Sequence, residues 1–593
     1  MEYIKISEKD NVIMGLSFGY HDSAAAVLVN GNVAIAIQEE RLSRIKHDNL
    51  FPEKAINFCL KKLNISSDRL NKIIYYENPY KKFDRIVRSF FKLGNLKYLF
   101  NLINDWYLKE KFDPINKISK FLNVEKNKIL FCDHHSSHAA AAFFNSKFEN
   151  AIVITIDGVG EYETSTISIG TKNEIIKKKS SVFPNSLGLF YSTFTSYLGF
   201  EVNEGEYKVM GMAGFGKPKY VDKIRKLIKL KNGKIVINKS FFNFSLNEEL
   251  PFNQKFIDMF GLKRDPKKEF SFTQKDKIVE NQRFADIAAS VQCVTEEIIA
   301  EMVNFAIKKF SIKNLVFSGG VALNGLVNRK IQKNLTDKFY VYPSPGDSGS
   351  AVGCAQYYYY SKLNHKRVLS NSVFKGNSFN NEEFEQIKKN YPKKNYKMFK
   401  NKMLLNGFIA SELNKGKIVG WFQGNEEWGP RALGSRSILA NPKKKEIRDK
   451  INRIIKYREI FRPFAPSVLI EKIDDYFDIS KNINELSPEN YMLTVNKVKD
   501  KAIKEAPAIV HIDKTARVHA VSKIHNLDFY NLVSEFYKIS NVPILLNTSF
   551  NLKGEPIVSS VTDAFRTFEL SNIDLLVLEN YCFKKTEYYN FDR

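Results

Sequence analysis

The chemistry of this chain starts at DHHSSHAAAA, Asp133 to Ala142, where three of the nine histidines fall within five positions. At a helix start His134 and His138 share one face about one turn apart, close enough to ligate one ion, while His135 points elsewhere. A metalloprotease helix would carry a glutamate after its first ligand. Here Ser136 and Ser137 intervene, so that reading fails. Satisfied core histidines are the competing reading, and two aspartates weigh against it. Asp157 ends a β-branched strand in IDGVGE, although Asp-Gly is also a common turn former, and Asp347 sits in the glycine-framed turn YPSPGDSGSAVG. Two neutral imidazoles and two carboxylates make a mixed nitrogen and oxygen site suited to divalent iron, manganese or zinc.

A second group is cationic. GWFQGNEEWGPRALGSRSILANP and INRIIKYREIFRPFAPSVL hold Arg431, Arg436, Lys456, Arg458 and Arg462, interleaved with apolar residues and prolines. A solvated charge run would not alternate in this way. Guanidinium groups fixed by rigid turns suit a phosphate or an anhydride, because the planar group meets phosphoryl oxygens in pairs. DKTARVHAV adds Arg517, and VPILLNTSFNLKGEPIV adds Asn547, Thr548 and Ser549 after a buried strand. In EGEYKVMGMAGFG and FSGGVALNGLVN, Gly205, Gly211, Gly214, Gly319 and Gly320 let the backbone approach a ligand, and Lys208 can meet a phosphate as a point charge. Ordinary turn glycines are the plain alternative at each position. Two look-alikes are set aside. GDSG at Gly346–Gly349 suggests a chymotrypsin-like protease but has no all-β surroundings, and GMAGFGKP ends in Pro218, which lacks the hydroxyl that a phosphate loop needs for magnesium.

The elements that must position these groups follow from the hydrophobic pattern. VIMGLSFGYHDSAAAVLVNGNVAIAIQEERLSR reads as strand, polar turn at Gly19–Asp22, strand, Asn-Gly turn at Asn30–Gly31 and strand. NAIVITIDGVGEYETSTISIGTKNEI repeats the pattern and ends in a glycine turn, which predicts a duplicated α/β domain with both first turns facing one cleft. Residues 76–125 form a basic, aromatic helical insertion, and residues 283–310 a long amphipathic helix. The chain thus reads as a first domain over 1–370, a polar linker over 371–395 and a second α/β domain over 396–593.

Composition narrows the function classes. With 44% hydrophobic residues, the 593-residue chain supports packed cores. No apolar run is long enough for a membrane helix, and the start carries no signal pattern, so no membrane partner and a cytoplasmic location are expected. The five cysteines are scattered and never spaced as CxxC, against a disulfide framework or a zinc ribbon. The net charge of +26 is spread along the whole sequence, so a nucleic-acid partner is not expected, whereas an anionic substrate profits from the same field.

Taken together, GYHDSAAAVL, EERLSRIKHD, DHHSSHAAAA, DGVGE, EGEYKVMGMA, SGGVALN, PGDSGSAVG, GPRALGSRS, REIFRPFAP and LNTSFNLKGEPIV resemble the O-carbamoyltransferases that act on nodulation factors, cephamycins and tobramycin. The resemblance spans almost the whole chain. It implies an N-terminal duplicated domain of the sugar-kinase/Hsp70/actin-like (Kae1-like) fold and a C-terminal YrdC-like α/β domain. It implies that the C-terminal domain makes carbamoyl-adenylate from carbamoyl phosphate and ATP with Mg(II). The N-terminal domain would pass the carbamoyl group to a hydroxyl of a sugar or natural product. Carried over by motif, His134, His138, Asp157 and Asp347 would hold Fe(II) or another divalent ion. Arg431, Arg436, Lys456, Arg517 and Ser549, with Asn547 beside them, would form the carbamoyl phosphate and ATP pocket. Lys208, Gly319, Gly320 and Asn324 would lie near the adenylate, and His21 on the acceptor side. The sequence departs from the family pattern at Asn425, where an arginine is usual, and at Lys514, where a glycine is. A homodimer, and the acceptor itself, stay open.

Three other readings compete. A tRNA threonylcarbamoyladenosine enzyme shares both halves, but the GPRALG and FRPFAP blocks favour a small-molecule transferase. Hydrogenase maturation would bring CxxC zinc pairs and an acylphosphatase-like start, and neither is present. A non-enzymatic phosphate-binding regulator would result if the cations were mispositioned.

Overall fold

The computed structural model describes residues 6–91, 100, 103–104, 113–244, 250–268, 270, 278–369, 372–456, 464–479 and 483–585. The chain divides into two units, Met1–Ala36 with Asn49–Ser370 and Ile37–Asp48 with Asn371–Arg593.

The first unit is built on two five-stranded sheets of the same plan. Val12–Ser17 (β1), Ala24–Val29 (β2), Asn32–Gln38 (β3), Lys72–Tyr75 (β4) and Ile129–Phe131 (β5) lie in the order β3-β2-β1-β4-β5. Asn150–Ile156 (β6), Glu163–Thr171 (β7) and Glu174–Val182 (β8) start the second sheet. A small hairpin, Ile228–Lys231 (β9) with Lys234–Ile237 (β10), precedes its last strands, Leu315–Ser318 (β11) and Phe339–Val341 (β12). The order is β8-β7-β6-β11-β12. In each sheet the first strand pairs antiparallel with the second and parallel with the fourth, which pairs parallel with the fifth. This is the duplicated sugar-kinase/actin-like architecture.

Turn chemistry sets the hairpins. Asn30 and Gly31 both have positive φ, 50° and 82°, as a two-residue turn matched to strand twist requires. In the second copy the turn falls instead at Lys172–Asn173, two residues beyond the expected glycine. Gly170 stays in β7 because a Cβ there would lie 2.6 Å from the Phe143 ring, so this glycine serves packing. The amphipathic helix runs from Ile278 to Phe310 and buries Phe284, Ala288, Val291, Ile298 and Met302. Of the insertion, Pro79–Phe91 and Pro114–Leu122 are helices. Most of the residues between them lie outside the described residues.

The alanines after the histidines now have a reason. The helix His134–Asn145 buries Ala139 to Ala142, and the helix Asp347–Gln356 runs against it. A Cβ on Gly353 would stand 1.9 Å from the Ser137 carbonyl oxygen, and one on Gly15 of β1 would stand 1.8 Å from that of Ala351. The helix carrying Asp347 is thus held at backbone contact between β1 and the histidine helix. Larger side chains here would push Asp347 away from the imidazoles.

The second unit has a mixed eight-stranded sheet. Its strands are Tyr396–Met398 (β13), Val419–Phe422 (β14), Arg436–Ala440 (β15), Ala465–Leu469 (β16), His519–Val521 (β20), Ile544–Ser549 (β21), Leu575–Leu578 (β22) and Tyr581–Lys584 (β23). The order is β13-β23-β22-β14-β15-β21-β16-β20, and Phe477–Asp478 (β17), Val495–Val498 (β18) and Thr515–Arg517 (β19) form a smaller sheet. Alternate residues serve opposite faces. Phe422, Ile438, Ile544 and Leu546 enter one core, Trp421, Leu439 and Leu545 the other. Residues 381–390, read as linker from their polarity, form a helix whose Phe384 joins the first of these cores. Among the described residues no helix is long and apolar enough to cross a membrane.

Candidate functional site

In the first unit His134, His138, Asp157 and Asp347 each offer one ligand atom, and the four atoms lie within 4.8 Å of one another. His134 and His138 come from one helix, Asp157 from the end of β6 and Asp347 from the first turn of the second helix. The two Nε2 atoms are 3.1 Å apart. His138 Nε2 stands 2.9 Å from Asp157 Oδ2 and 3.5 Å from Asp347 Oδ1, and His134 Nε2 stands 3.8 and 3.9 Å from the same atoms. Ligands about 2.1 Å from a common ion are separated by roughly 3 to 3.5 Å, so the cage has the right scale.

The surroundings hold these groups in place. The Asp157 carboxylate accepts the backbone N–H of Gly158 at 2.7 Å and of Gly320 at 3.1 Å. Gly319 is needed for that approach: its φ is 91°, and a Cβ would meet the Ile156 carbonyl oxygen at 2.2 Å. Ser350 Oγ lies 3.3 Å from His138 Nδ1, leaving Nε2 for the cage. The buried carboxylate of Glu161 accepts the backbone N–H of His134 at 2.9 Å. Asp347 Oδ2 and His134 Nδ1 are buried with no hydrogen-bond partner among the described residues. A bound ion would compensate the converging carboxylates. Burial opposes charge on His138, yet the hydrogen bonds it donates to the Asp157 and Asp347 carboxylates raise its pKa to about 9. His135 is the satisfied core histidine: Thr155 Oγ1 at 2.7 Å and the Glu163 carbonyl at 3.0 Å take its two nitrogens, and burial holds it neutral. Both readings of the cluster therefore have a home in one five-residue stretch.

The other candidates of this unit divide. His21 Nδ1 lies 2.9 Å from Asp22 Oδ2. Burial works against its charge, but the Asp22 hydrogen bond, with Asp347 and Asp157 beyond, raises its pKa to about 9. Lys208, on the helix Glu206–Ala213, places its ammonium 5.8 Å over the Phe200 ring. Asn324, expected near the adenylate, is engaged within the fold. Its amide exchanges hydrogen bonds of 2.9 and 3.1 Å with Gln292, and its Oδ1 caps the following helix at Val327.

In the second unit Lys456 Nζ donates to Ser549 Oγ at 3.3 Å and to the Asn551 carbonyl at 2.9 Å, at the end of β21. Asn547 uses both amide hydrogens on Ala432 O (3.1 Å) and Ser467 Oγ (2.9 Å), while its buried Oδ1 has no partner among the described residues. Arg431 and Arg517 are half-buried in the loop before β15 and in β19. Arg436 does not serve as the expected phosphate ligand. It is fully buried, and its two terminal nitrogens donate to the carbonyls of Gln423, Ser435, Asn377 and Gly424 at 2.9 to 3.1 Å. The guanidinium stacks 3.4 Å over Phe422, and burial lowers its pKa to about 10. Arg458 and Arg462 lie outside the described residues.

Sequence reading missed what shapes this loop. Glu427 Oε1 accepts the backbone N–H groups of Leu433, Ser435 and Arg436 at 2.8, 2.7 and 3.1 Å. Glu426 is buried and pairs with Arg41, whose guanidinium donates to Glu426 Oε1 at 2.9 Å and to the Gly429 carbonyl at 2.8 Å. The segment Ile37–Asp48 thus contributes to the second unit although it follows β3 of the first. Buried charge inside EERLSR was the available signal, but nothing local names its partner.

Family models for the carbamoyltransferase N-terminus and C-terminus match residues 12–356 and 410–585. A Synechocystis protein is 38% identical over 97% of each chain. The nodulation protein NolNO of Sinorhizobium fredii is 32% identical over 95% of this chain and 79% of its own. The nodulation protein NolO of Bradyrhizobium diazoefficiens is 33% identical over 76% of this chain and 79% of its own. With a family match on the duplicated domain that carries the histidine and aspartate cage and another on the domain that carries Lys456 and Ser549, the chain belongs to the carbamoyltransferase family and is a carbamoyl-transfer enzyme.

Proposed function

We propose that the chain is an ATP-dependent O-carbamoyltransferase that divides its reaction between its two units. In the second unit carbamoyl phosphate loses phosphate to water and leaves carbamate. A carbamate oxygen then attacks the α-phosphorus of Mg-bound ATP and expels pyrophosphate, giving carbamoyl-adenylate. Carbamate itself is a poor electrophile, and adenylation supplies the leaving group. Arg431 and Arg517 neutralise phosphoryl charge, and Lys456 joins them by exchanging its contacts with Ser549 and Asn551 for phosphoryl oxygens; Ser549 and Asn547 orient the substrates, and Arg436 holds the loop in shape.

In the first unit the acceptor hydroxyl oxygen attacks the carbamoyl carbon. The carbon–oxygen bond to AMP breaks, and AMP leaves with its electron pair. His134, His138, Asp157 and Asp347 would hold Fe(II) or another divalent ion, which supplies Lewis-acid charge to phosphoryl or carbamoyl oxygens when bound. His21, oriented by Asp22, takes the acceptor proton in its neutral form, so transfer should rise with pH toward its pKa of about 9. Lys208 and the backbone at Gly319 and Gly320 lie toward the nucleotide phosphate. The acceptor is a sugar or natural product with a free hydroxyl.

The observation that carries this reading is the convergence of four ligand atoms from separate elements within 4.8 Å in a chain of this family. Incubation with ATP, carbamoyl phosphate and Fe(II), followed by mass spectrometry, should show carbamoyl-AMP and pyrophosphate. Absence of both would refute it.

A further inference from the structure

β4 ends at Tyr75, and the chain passes through Tyr76 and Glu77 into the helix Pro79–Phe91. Leu16 of β1 is in register with Tyr75 of the parallel β4, so this connection leaves the sheet beside the Tyr20–Asp22 turn. Open α/β sheets bind ligands at such carboxyl ends of strands.

Arg85 lies on that helix with only 9% of its surface exposed, its guanidinium 5.3 Å over the Phe183 ring. Among the described residues nothing forms a hydrogen bond or close ion pair with that guanidinium. Its basic neighbours on the helix are paired: Lys81 with Asp133 at 2.8 Å, Lys82 with Glu77 at 2.7 Å and Arg88 with Asp84 at 2.9 Å. The two carboxylates whose charge Arg85 feels are engaged elsewhere. Glu77 accepts from Lys82 and from the Tyr75 hydroxyl at 3.1 Å, and Glu161 accepts the backbone N–H groups of Asn78 and His134 at 2.7 and 2.9 Å. A buried guanidinium with no acceptor for its N–H groups among the described residues is costly to the fold, and an anionic ligand would supply one.

The same surroundings lead to the metal cage. The Lys82 ammonium sits 5.6 Å over the Tyr20 ring. The Tyr20 hydroxyl reaches to 4.0 Å of where a Cβ on Gly158 would stand, next to Asp157. Glu161 carries the backbone of His134.

We infer that Arg85 marks an acceptor subsite in the first unit and pairs with an anionic substituent, a phosphate, sulfate or carboxylate, on a hydroxylated acceptor. The inference rests on the proposed carbamoyl transfer. A phosphoryl group could reach Arg85 from the acceptor or from the adenylate. The acceptor is assigned because Arg85 belongs to the first repeat beside the His21 turn, whereas the Gly319–Gly320 turn of the second repeat lies toward the nucleotide. Planar guanidinium supplies two parallel donors to such an anion, which a neutral sugar cannot use.

Calorimetry on the full-length protein with glucose 6-phosphate, glucose and AMP as probes tests this. Wild type should bind glucose 6-phosphate at least about tenfold more tightly than glucose, Arg85→Gln should cut that preference to about twofold or less, and Arg85→Lys should keep part of it. AMP affinity should stay within about twofold in Arg85→Gln. The assignment is overturned if wild type shows no preference or binds neither sugar, or if the preference survives in Arg85→Gln. Loss of AMP affinity with sugar-phosphate binding intact would give Arg85 to the nucleotide and equally overturn it. Normal carbamoyl-AMP formation alongside a missing preference removes this assignment alone, whereas missing carbamoyl-AMP is a failure of the proposed function.

Discussion

The first unit's cage and the second unit's cationic loop were both conspicuous as clusters of charged residues, and they resolve in opposite ways. In the cage the side chains converge on one point and leave buried atoms, Asp347 Oδ2 and His134 Nδ1, with no partner among the described residues. In the loop the most buried cation, Arg436, turns inward and spends its terminal nitrogens on four backbone carbonyls. Charge density along a sequence therefore marks where electrostatics matter, without telling a ligand contact from a bolt. A bolt has its hydrogen bonds satisfied by the fold; a ligand group has capacity left over.

The contrast can be broken at Arg436 first. Arg436→Ala should cost about 3–5 kcal/mol of stability, because it strips four carbonyls of their donor in a closed interior. Denaturant unfolding measures this, and an unchanged midpoint with lost catalysis would return Arg436 to the ligand. The Arg41–Glu426 pair should behave as a second bolt. A double-mutant cycle with Arg41→Met and Glu426→Gln should give a coupling of about 2 kcal/mol, and additive losses would separate the two residues. Gly353→Ala should cost about 1–3 kcal/mol and weaken metal retention, since its Cβ would force the helix carrying Asp347 away from the Ser137 carbonyl of the histidine helix. Gly346→Ala, with nothing within 4 Å of the added atom, is the control expected to change neither. At the small end Arg88→Ala should leave the melting temperature unmoved, as its pairing with Asp84 is exposed to solvent.

The cage was legible because its geometry is local. Spacing of four puts His134 and His138 on one face, and a strand ending in Asp-Gly places Asp157 at the carboxyl end of that strand; only Asp347 needed the fold to bring it in. The repeated strand–turn–strand pattern likewise gave away the duplicated sheets, although Gly170 misled the position of one turn by serving packing instead. Arg41 was not legible: its partner Glu426 is 385 residues away, and no periodicity encodes such a pairing. Arg436 misled for a related reason. It opens β15, where alternation leaves the direction of its side chain undecided until Phe422 and the carbonyls of the preceding loop are placed. Nor did the sequence show that Asn324 caps a helix and pairs with Gln292, because a capping asparagine has the same sequence context as one facing a nucleotide.

The division of labour between the units is tested most directly by His134→Ala, assayed by mass spectrometry for carbamoyl-AMP and for a carbamoylated acceptor. Carbamoyl-AMP at the wild-type rate with transfer reduced by at least about a hundredfold is the predicted outcome. Loss of carbamoyl-AMP in a folded His134→Ala protein, or transfer at the wild-type rate, would contradict it.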